Sequence, residues 1–241
     1  MIDFLLVIPT YNEEKYIKEM IVHSDKLLSG IYRDYRIVVV DASSSDLTTS
    51  IVKETMHEMG RLSILESARP GSRGRDVLLG MRQYRSRIYC YVDADLLPSM
   101  KYLNNLLRCH ENGYDVVLAS RYKNSRLLKR PPLRKAVSIA YNRLINILFS
   151  ESVTDHQCGF KLFGERAFAL VSKKSEEKHW VWDTEVILLA RYNKMQICEV
   201  PITWTERRSK RTGIIRLVKD VCIFVPGIAR LFYRFRISRK F

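Results

Sequence analysis

The chain has 241 residues, 46% of them hydrophobic, enough to bury a full core without metal or disulfide staples. Its net charge is +15, yet the excess is local: residues 121–150 carry eight Lys/Arg and no acid, residues 207–241 carry eleven against the single Asp220, and the remainder is slightly acidic. Charge gathered in two segments points to anionic ligands or surfaces at those places and argues against a generally basic protein. The five scattered cysteines form neither a CxxC nor a Cys/His zinc pattern and fit a reducing cytoplasm better than secretion. The apolar run Phe4 to Ile8 is too short for an export signal and leads at once into "PTYNEEK", so the fold is expected to begin at residue 1.

Short β-branched or aromatic runs recur at Phe4 to Ile8, Tyr35 to Val40, Leu62 to Leu65, Ile88 to Val92 and Asp115 to Ala119. Between them lie helical spacings near 13–28, 46–59, 74–86 and 98–111. This alternation predicts an α/β fold: a Rossmann-like, mostly parallel sheet with helices on both faces. Past residue 120 the rhythm breaks with the basic, double-proline loop "RYKNSRLLKRPPLRK" and a long helix over 133–149. A second globular part is then expected, with a strand at 159–163, a helix at 183–192 and a strand-like alternation over 196–204.

The last thirty residues read as two basic amphipathic segments broken at Pro226-Gly227. Their longest apolar run, Val221 to Ala229, falls well short of the roughly 18 residues that cross a bilayer. Bulky apolar residues (Ile214, Leu217, Val218, Phe224, Leu231, Phe232, Phe235) alternate with arginines, which predicts interfacial helices lying in lipid headgroups. A helix packing back on the core competes with this reading. Nucleic-acid binding lacks a motif or a stacking platform here.

Ligands of open parallel sheets sit beyond the carboxyl ends of the strands. The segment after each predicted strand is polar and charged: "PTYNEE", "DASSSD", "PGSRGRD", "DAD" and "SRY". This edge gathers Glu13, Asp41, Arg73, Asp93 and Asp95, a set suited to a nucleotide diphosphate carried with a divalent ion such as Mg2+ or Mn2+. An Asp capping the next helix is the bland alternative for "DAD".

In order and spacing, "VIPTYNEE", "VVVDASSSD", "SRGRDVLLG" and "YVDADLLP" resemble the successive blocks of the inverting family 2 glycosyltransferases, with the GT-A fold. "TDHQCGFKLF", "WVWDTEVILLA" and "EVPITWTERRSK" are similar to those of dolichyl-phosphate glucose and dolichyl-phosphate mannose synthases. The resemblance implies a catalytic domain over 1–212, a membrane-associating tail over 213–241, and transfer of one hexose from UDP-glucose or GDP-mannose to a polyprenyl (dolichyl) phosphate on the cytoplasmic membrane face. It also implies that Pro9, Tyr11, Glu13 and Asp41 hold base and ribose, that Arg73 neighbours the diphosphate, and that Asp93 and Asp95, flanking Ala94, hold the ribose side and the metal. Arg121, Arg134, Ser138 and Arg207 fall where such enzymes grip the lipid phosphate and diphosphate. Two positions depart from the pattern: Ala42 replaces the second Asp of the usual pair, and Leu97 stands where mannose synthases often carry a metal-binding Gln.

A phosphate acceptor is already anionic near neutral pH and attacks an anomeric carbon without a strong base. Arg134 and Ser138, one helical turn apart, could meet one phosphate together, or belong to a solvated basic face. Asp155 reads equally as a base, as a group orienting a sugar hydroxyl, or as a turn cap. A transferase acting on a glycan hydroxyl, in which Asp155 would be indispensable, and an inactive membrane-bound scaffold of the same fold are the alternatives.

Overall fold

A computed structural model describes residues 1–67, 72–124, 128–205 and 224–241. Strands β1 (Ile2–Thr10), β2 (Tyr35–Asp41), β3 (Leu62–Glu66) and β4 (Ser86–Val92) alternate with helices α1 (Ile17–Ser29), α2 (Thr48–Glu58) and α3 (Arg73–Met81). A 3-10 helix, Ala94–Tyr102, contains Pro98, whose missing N–H and ring do not suit an α-helical turn, and only then does α4 (Leu103–Glu111) begin. The single helix expected over 98–111 is therefore two.

β5 (Val116–Ser120) is succeeded by the short β6 (Leu128–Lys129) and the long α5 (Pro132–Phe149), then β7 (Phe160–Gly164), α6 (Glu165–Lys174), α7 (Trp182–Tyr192), β8 (Ile197–Pro201) and β9 (Trp204–Thr205). The main sheet has seven strands in the order β3-β2-β1-β4-β7-β5-β8, and β6 pairs with β9 beside it. β7 runs antiparallel to both β4 and β5, with Val92 opposite Phe160 and Leu118 opposite Lys161, whereas the other pairs in the sheet are parallel. The strands expected to build a second globular part thus complete the first sheet.

Period-two patterning sorts the core onto two faces. Phe4, Leu6 and Ile8 of β1 pack beneath α1 and α4, while Leu5 and Val7 meet α3 and α7. A third apolar cluster joins Ile145 and Phe149 of α5, Leu188 and Leu189 of α7, and Ile228, Leu231 and Phe235.

Those last residues correct the reading of the tail. Residues 224–232 are helical and continue in a π-helical turn, Tyr233–Ile237, straight across Pro226-Gly227. Gly227 is there for proximity, since a Cβ on it would stand 2.5 Å from Val181 Cγ2. Leu231 and Phe235 are buried, not turned outward. The arginines of this helix are tied to the protein as well: Arg230 pairs with Glu177 through two 2.8 Å bonds, and Arg234 reaches the buried Glu185 at 2.5 Å. Ile214, Leu217 and Val218 lie outside the described residues. Cys109 and Cys198 form a disulfide between α4 and β8, with their Cα atoms 6.4 Å apart; scattered spacing in sequence carries no information about that distance.

Candidate active site

Two loops form one side of the strand-end rim, and they are laced together. The Glu13 N–H donates to Thr48 Oγ1 at 2.8 Å, that of Asn12 to Ser44 Oγ at 2.9 Å, and that of Ser45 to Asn12 Oδ1 at 2.8 Å. Asp41 is 1% exposed and accepts from the Ser44 N–H (3.0 Å), Ser44 Oγ (2.5 Å) and Thr49 Oγ1 (3.1 Å). It shapes its own loop and does not present a carboxylate outward. Glu13 is buried, Pro9 is half-buried at the end of β1, and Tyr11 stands exposed on the rim.

Next to them, Arg73 opens α3 and donates through Nη2 to Asp93 at 2.9 Å. Asp93 occupies the N-cap position of the 3-10 helix, but its side chain makes no capping bond, so the capping reading fails. Behind Arg73 stands Asp183, wholly buried, 3.4 Å from Arg73 Nε and 2.5 Å from Lys161 Nζ. Tyr91 donates its hydroxyl to the same carboxylate, and Lys161 also donates to Tyr91 Oη (3.0 Å) and to the Cys158 carbonyl (2.7 Å). Burial pushes the Asp183 carboxyl up, but Arg73 and Lys161 together more than offset this and hold its pKa below the ordinary value. The result is a chain of alternating charge, Lys161, Asp183, Arg73, Asp93, running from the core to the rim. Gly159 closes it from one side: its carbonyl accepts from the Asp93 N–H at 2.8 Å, and a Cβ there would overlap both Asp93 Oδ2 and Arg73 Nη2.

The end of β5 supplies the other half of the site. Arg121 donates to Asp155 from its backbone N–H (2.9 Å), Nε (2.8 Å) and Nη2 (2.9 Å), engaging both oxygens of a carboxylate that is wholly buried. Although burial disfavours the Arg121 guanidinium, Asp155 holds its pKa well above the usual value. Glu199 in turn accepts from the Thr154 N–H (2.9 Å) and hydroxyl (2.8 Å), fixing the loop that carries Asp155. Burial and the nearby Lys161 hold the neighbouring His156 imidazole at a pKa of about 3, so it stays neutral at physiological pH. Ser138 of α5 accepts from Arg130 Nη1 at 3.0 Å, and the same nitrogen donates to Tyr122 Oη at 2.7 Å. Arg134 is half-buried one turn before Ser138. Arg207 lies outside the described residues.

The two halves share one edge because β7 starts where β4 and β5 end, so the loop over 154–159 passes between Asp93 and Arg121. This order of strands and strand-end groups agrees with a family match: the model described as "Glycosyl transferase family 2" covers residues 5–172. The chain belongs to glycosyl transferase family 2. This family 2 glycosyl transferase is 29% identical over 218 residues to glycosyltransferase AglD of Haloferax volcanii, an alignment covering 89% of the chain and 35% of AglD. It is 29% identical over 231 residues to dolichyl-phosphate beta-glucosyltransferase ALG5A of Trichomonas vaginalis, covering 90% of the chain and 71% of that protein. The corresponding figures for the dolichyl-phosphate beta-glucosyltransferase of Saccharomyces cerevisiae are 26%, 93% and 76%. Among solved structures, glucosyl-3-phosphoglycerate synthase from Mycobacterium tuberculosis, in complex with Mn2+, UDP and phosphoglyceric acid, aligns with a TM-score of 0.74 at 18% identity, over 98% of this chain and 79% of that one. Its likeness supports the GT-A arrangement of the fold.

The residues of this glycosyl transferase fit a hard divalent ion. Asp93 and Asp95 are half-buried, one residue apart and separated by the buried Ala94, and offer oxygen donors only. Among the described residues no group of three or more His, Cys, Asp or Glu side chains gathers to make a closed metal cage. Leu97 packs into the apolar core, so that position supplies no further ligand. Lys161, Asp183, Gly159 and Arg130 are contributors the sequence patterns left out. "GFKLF" and "WVWDTE" did carry the two charges inside apolar runs, which was the available signal.

Proposed function

We propose that this glycosyl transferase moves one glucosyl unit from UDP-glucose to a polyprenyl phosphate, as a peripheral protein on the cytoplasmic face of a membrane. The observation that carries the choice of acceptor is the state of Asp155. A carboxylate enclosed by three hydrogen bonds from Arg121, with no exposed surface, is poorly placed to take a proton from a sugar hydroxyl. A phosphate oxygen needs no such base, which favours the lipid phosphate over a glycan hydroxyl. Asp155 then acts by aiming Arg121.

In this reading Arg73 lies beside the diphosphate and balances its charge, and Arg121 faces the acceptor across the loop over 154–159. The Arg130–Ser138 contact and Arg134 form the entry for the acceptor phosphate on α5. Asp93 and Asp95 would hold Mg2+ or Mn2+, which when bound stabilises the departing UDP. The Mycobacterium tuberculosis synthase binds UDP-glucose with Mn2+ and UDP with Mg2+, and the relatives of Trichomonas and Saccharomyces are named for glucose and dolichyl phosphate. Incubation with labelled UDP-glucose, Mg2+ or Mn2+ and a polyprenyl phosphate is expected to yield labelled lipid. Asp95→Ala is expected to reduce that yield by at least about a hundredfold. Absence of labelled lipid with the wild-type chain, or full activity in the variant, counts against the proposal.

The membrane side rests on surface shape. No helix among the described residues is long and apolar enough to cross a bilayer. Instead α5 turns Leu133, Leu144 and Ile147 to solvent, Ile147 at 77% exposure, and the C-terminal helix exposes Val225, Tyr233 and Ile237, which line one groove with Leu144. A groove of about 350 Å3 between the two helices is lined almost wholly by apolar side chains. Contiguous apolar surface of this kind, with Arg143 and Arg239 exposed near it, suits an anionic lipid interface. Flotation with anionic liposomes is expected to fall at least about fivefold for Ile147→Glu combined with Ile237→Glu, without a change in melting temperature. Equal flotation of both proteins would exclude this face as the membrane contact.

A further inference from the structure

Trp180 is the exposed member of the three tryptophans: it shows 41% of its surface, against 0% for Trp182 and 9% for Trp204. A lone exposed aromatic is ordinary. What sets Trp180 apart is its neighbour. The Arg73 guanidinium lies 5.5 Å from the Trp180 ring centre and 5.7 Å from that of Tyr91, so the cation that grips Asp93 is bracketed by two aromatic rings, one buried and one open.

The turn that carries the open ring is also held still. Trp182, two residues on, is wholly buried against Gly74, where a Cβ would overlap the indole, and the Trp182 backbone N–H donates to the His179 carbonyl at 3.1 Å. On the other flank the Arg75 N–H donates to the Lys178 carbonyl at 3.1 Å. The buried Glu185 carboxylate accepts from the Glu176 N–H (2.8 Å), the Glu177 N–H (3.0 Å) and Ser175 Oγ (2.6 Å). The turn is therefore pinned on both sides, and the ring can receive a ligand with little ordering cost.

We infer that Trp180 is a stacking platform for the pyranose ring of the donor, making it a sugar-recognition residue of this site. This rests on the reading of Arg73 and Asp93 as the diphosphate end. The group bonded to the terminal phosphate is the hexose, so an open aromatic face beside Arg73 lies where that ring emerges. A pyranose with equatorial hydroxyls exposes a flat patch of C–H groups, and an indole face, electron-rich and apolar, complements it. UDP alone has no such patch, which separates this role from simple support of Arg73.

The test is calorimetric titration of wild type, Trp180→Ala and Trp180→Phe with UDP-glucose and with UDP, each with Mn2+ and without acceptor. Trp180→Ala is expected to weaken UDP-glucose about tenfold while UDP stays within about twofold, and Trp180→Phe to retain most of the affinity. The melting temperature of each variant checks that the exposed position leaves the fold intact. Equal weakening of both ligands would reassign Trp180 to holding Arg73, and unchanged affinity for both would remove it from the site; either overturns the inference alone. Wild-type protein that binds neither ligand overturns the functional reading together with it.

Discussion

Gly159→Ala is expected to lower glucosyl transfer by at least about a hundredfold while the protein still unfolds cooperatively close to the wild-type temperature. The added methyl would occupy the volume of Asp93 Oδ2 and Arg73 Nη2. The whole Asp93 carboxyl, Cγ included, and the Arg73 guanidinium would have to turn away, at a strain of the order of 1–3 kcal/mol. The rim, however, loses its arrangement: Arg73 and Asp93 no longer meet at 2.9 Å, and the charge proposed to face the diphosphate shifts with them. Steady-state kcat/KM and Mn2+-dependent UDP binding are the measurements, alongside a thermal melt. Full activity in a folded Gly159→Ala protein would mean that the Arg73–Asp93 pair is not part of the chemistry.

Lys161→Met is expected to act on stability first. Lys161 and Asp183 are both 0% exposed, and the lysine is the partner of Asp183 on the side away from Arg73. Removing one member of a buried pair leaves a charge in a medium that solvates it poorly, at a cost of about 3–5 kcal/mol. Urea unfolding reads this directly as a lower midpoint at similar slope. Pairing the change with Asp183→Asn is expected to recover part of the loss, because the double variant no longer asks Arg73 alone to balance both Asp183 and Asp93. A single-variant loss below about 1 kcal/mol would show that Lys161 is not needed to balance Asp183, leaving Arg73 as its effective partner.

Much of this molecule was readable in its sequence, for identifiable reasons. The five N-terminal strands announce themselves because both faces of a parallel sheet are covered, which makes each strand a short apolar run with a polar end. Asp93, Arg73 and Arg121 could be placed from those ends alone. The direction of β7 could not, since alternation in a strand is the same read either way. Nor could the surroundings of Asp41 and Asp155: both sit at strand ends or in motifs, and only the structure shows their carboxylates taken up by hydrogen bonds from Ser44 and Thr49, and from Arg121. The tail was legible only in part, for a physical reason too. An amphipathic helix with arginines looks the same whether its apolar stripe meets lipid or protein; Glu177, Glu185 and Val181, all from another part of the chain, seat the side that carries Gly227, Arg230 and Arg234, while Val225, Tyr233 and Ile237 stay exposed.

The reversed strand has a bearing on how such a site comes into being. β4 and β5 never touch as partners; β7 is wedged between them, and it is made some seventy residues after β4. A ribosome that has released only the first 150 residues has therefore delivered Arg73, Asp93, Asp95 and Arg121, yet not the strand that sets the Arg73–Asp93 pair beside Arg121. Until Phe160–Gly164 threads home, β4 carries a naked border open to adhesion with other chains, and the two parts of the rim have nothing to join them.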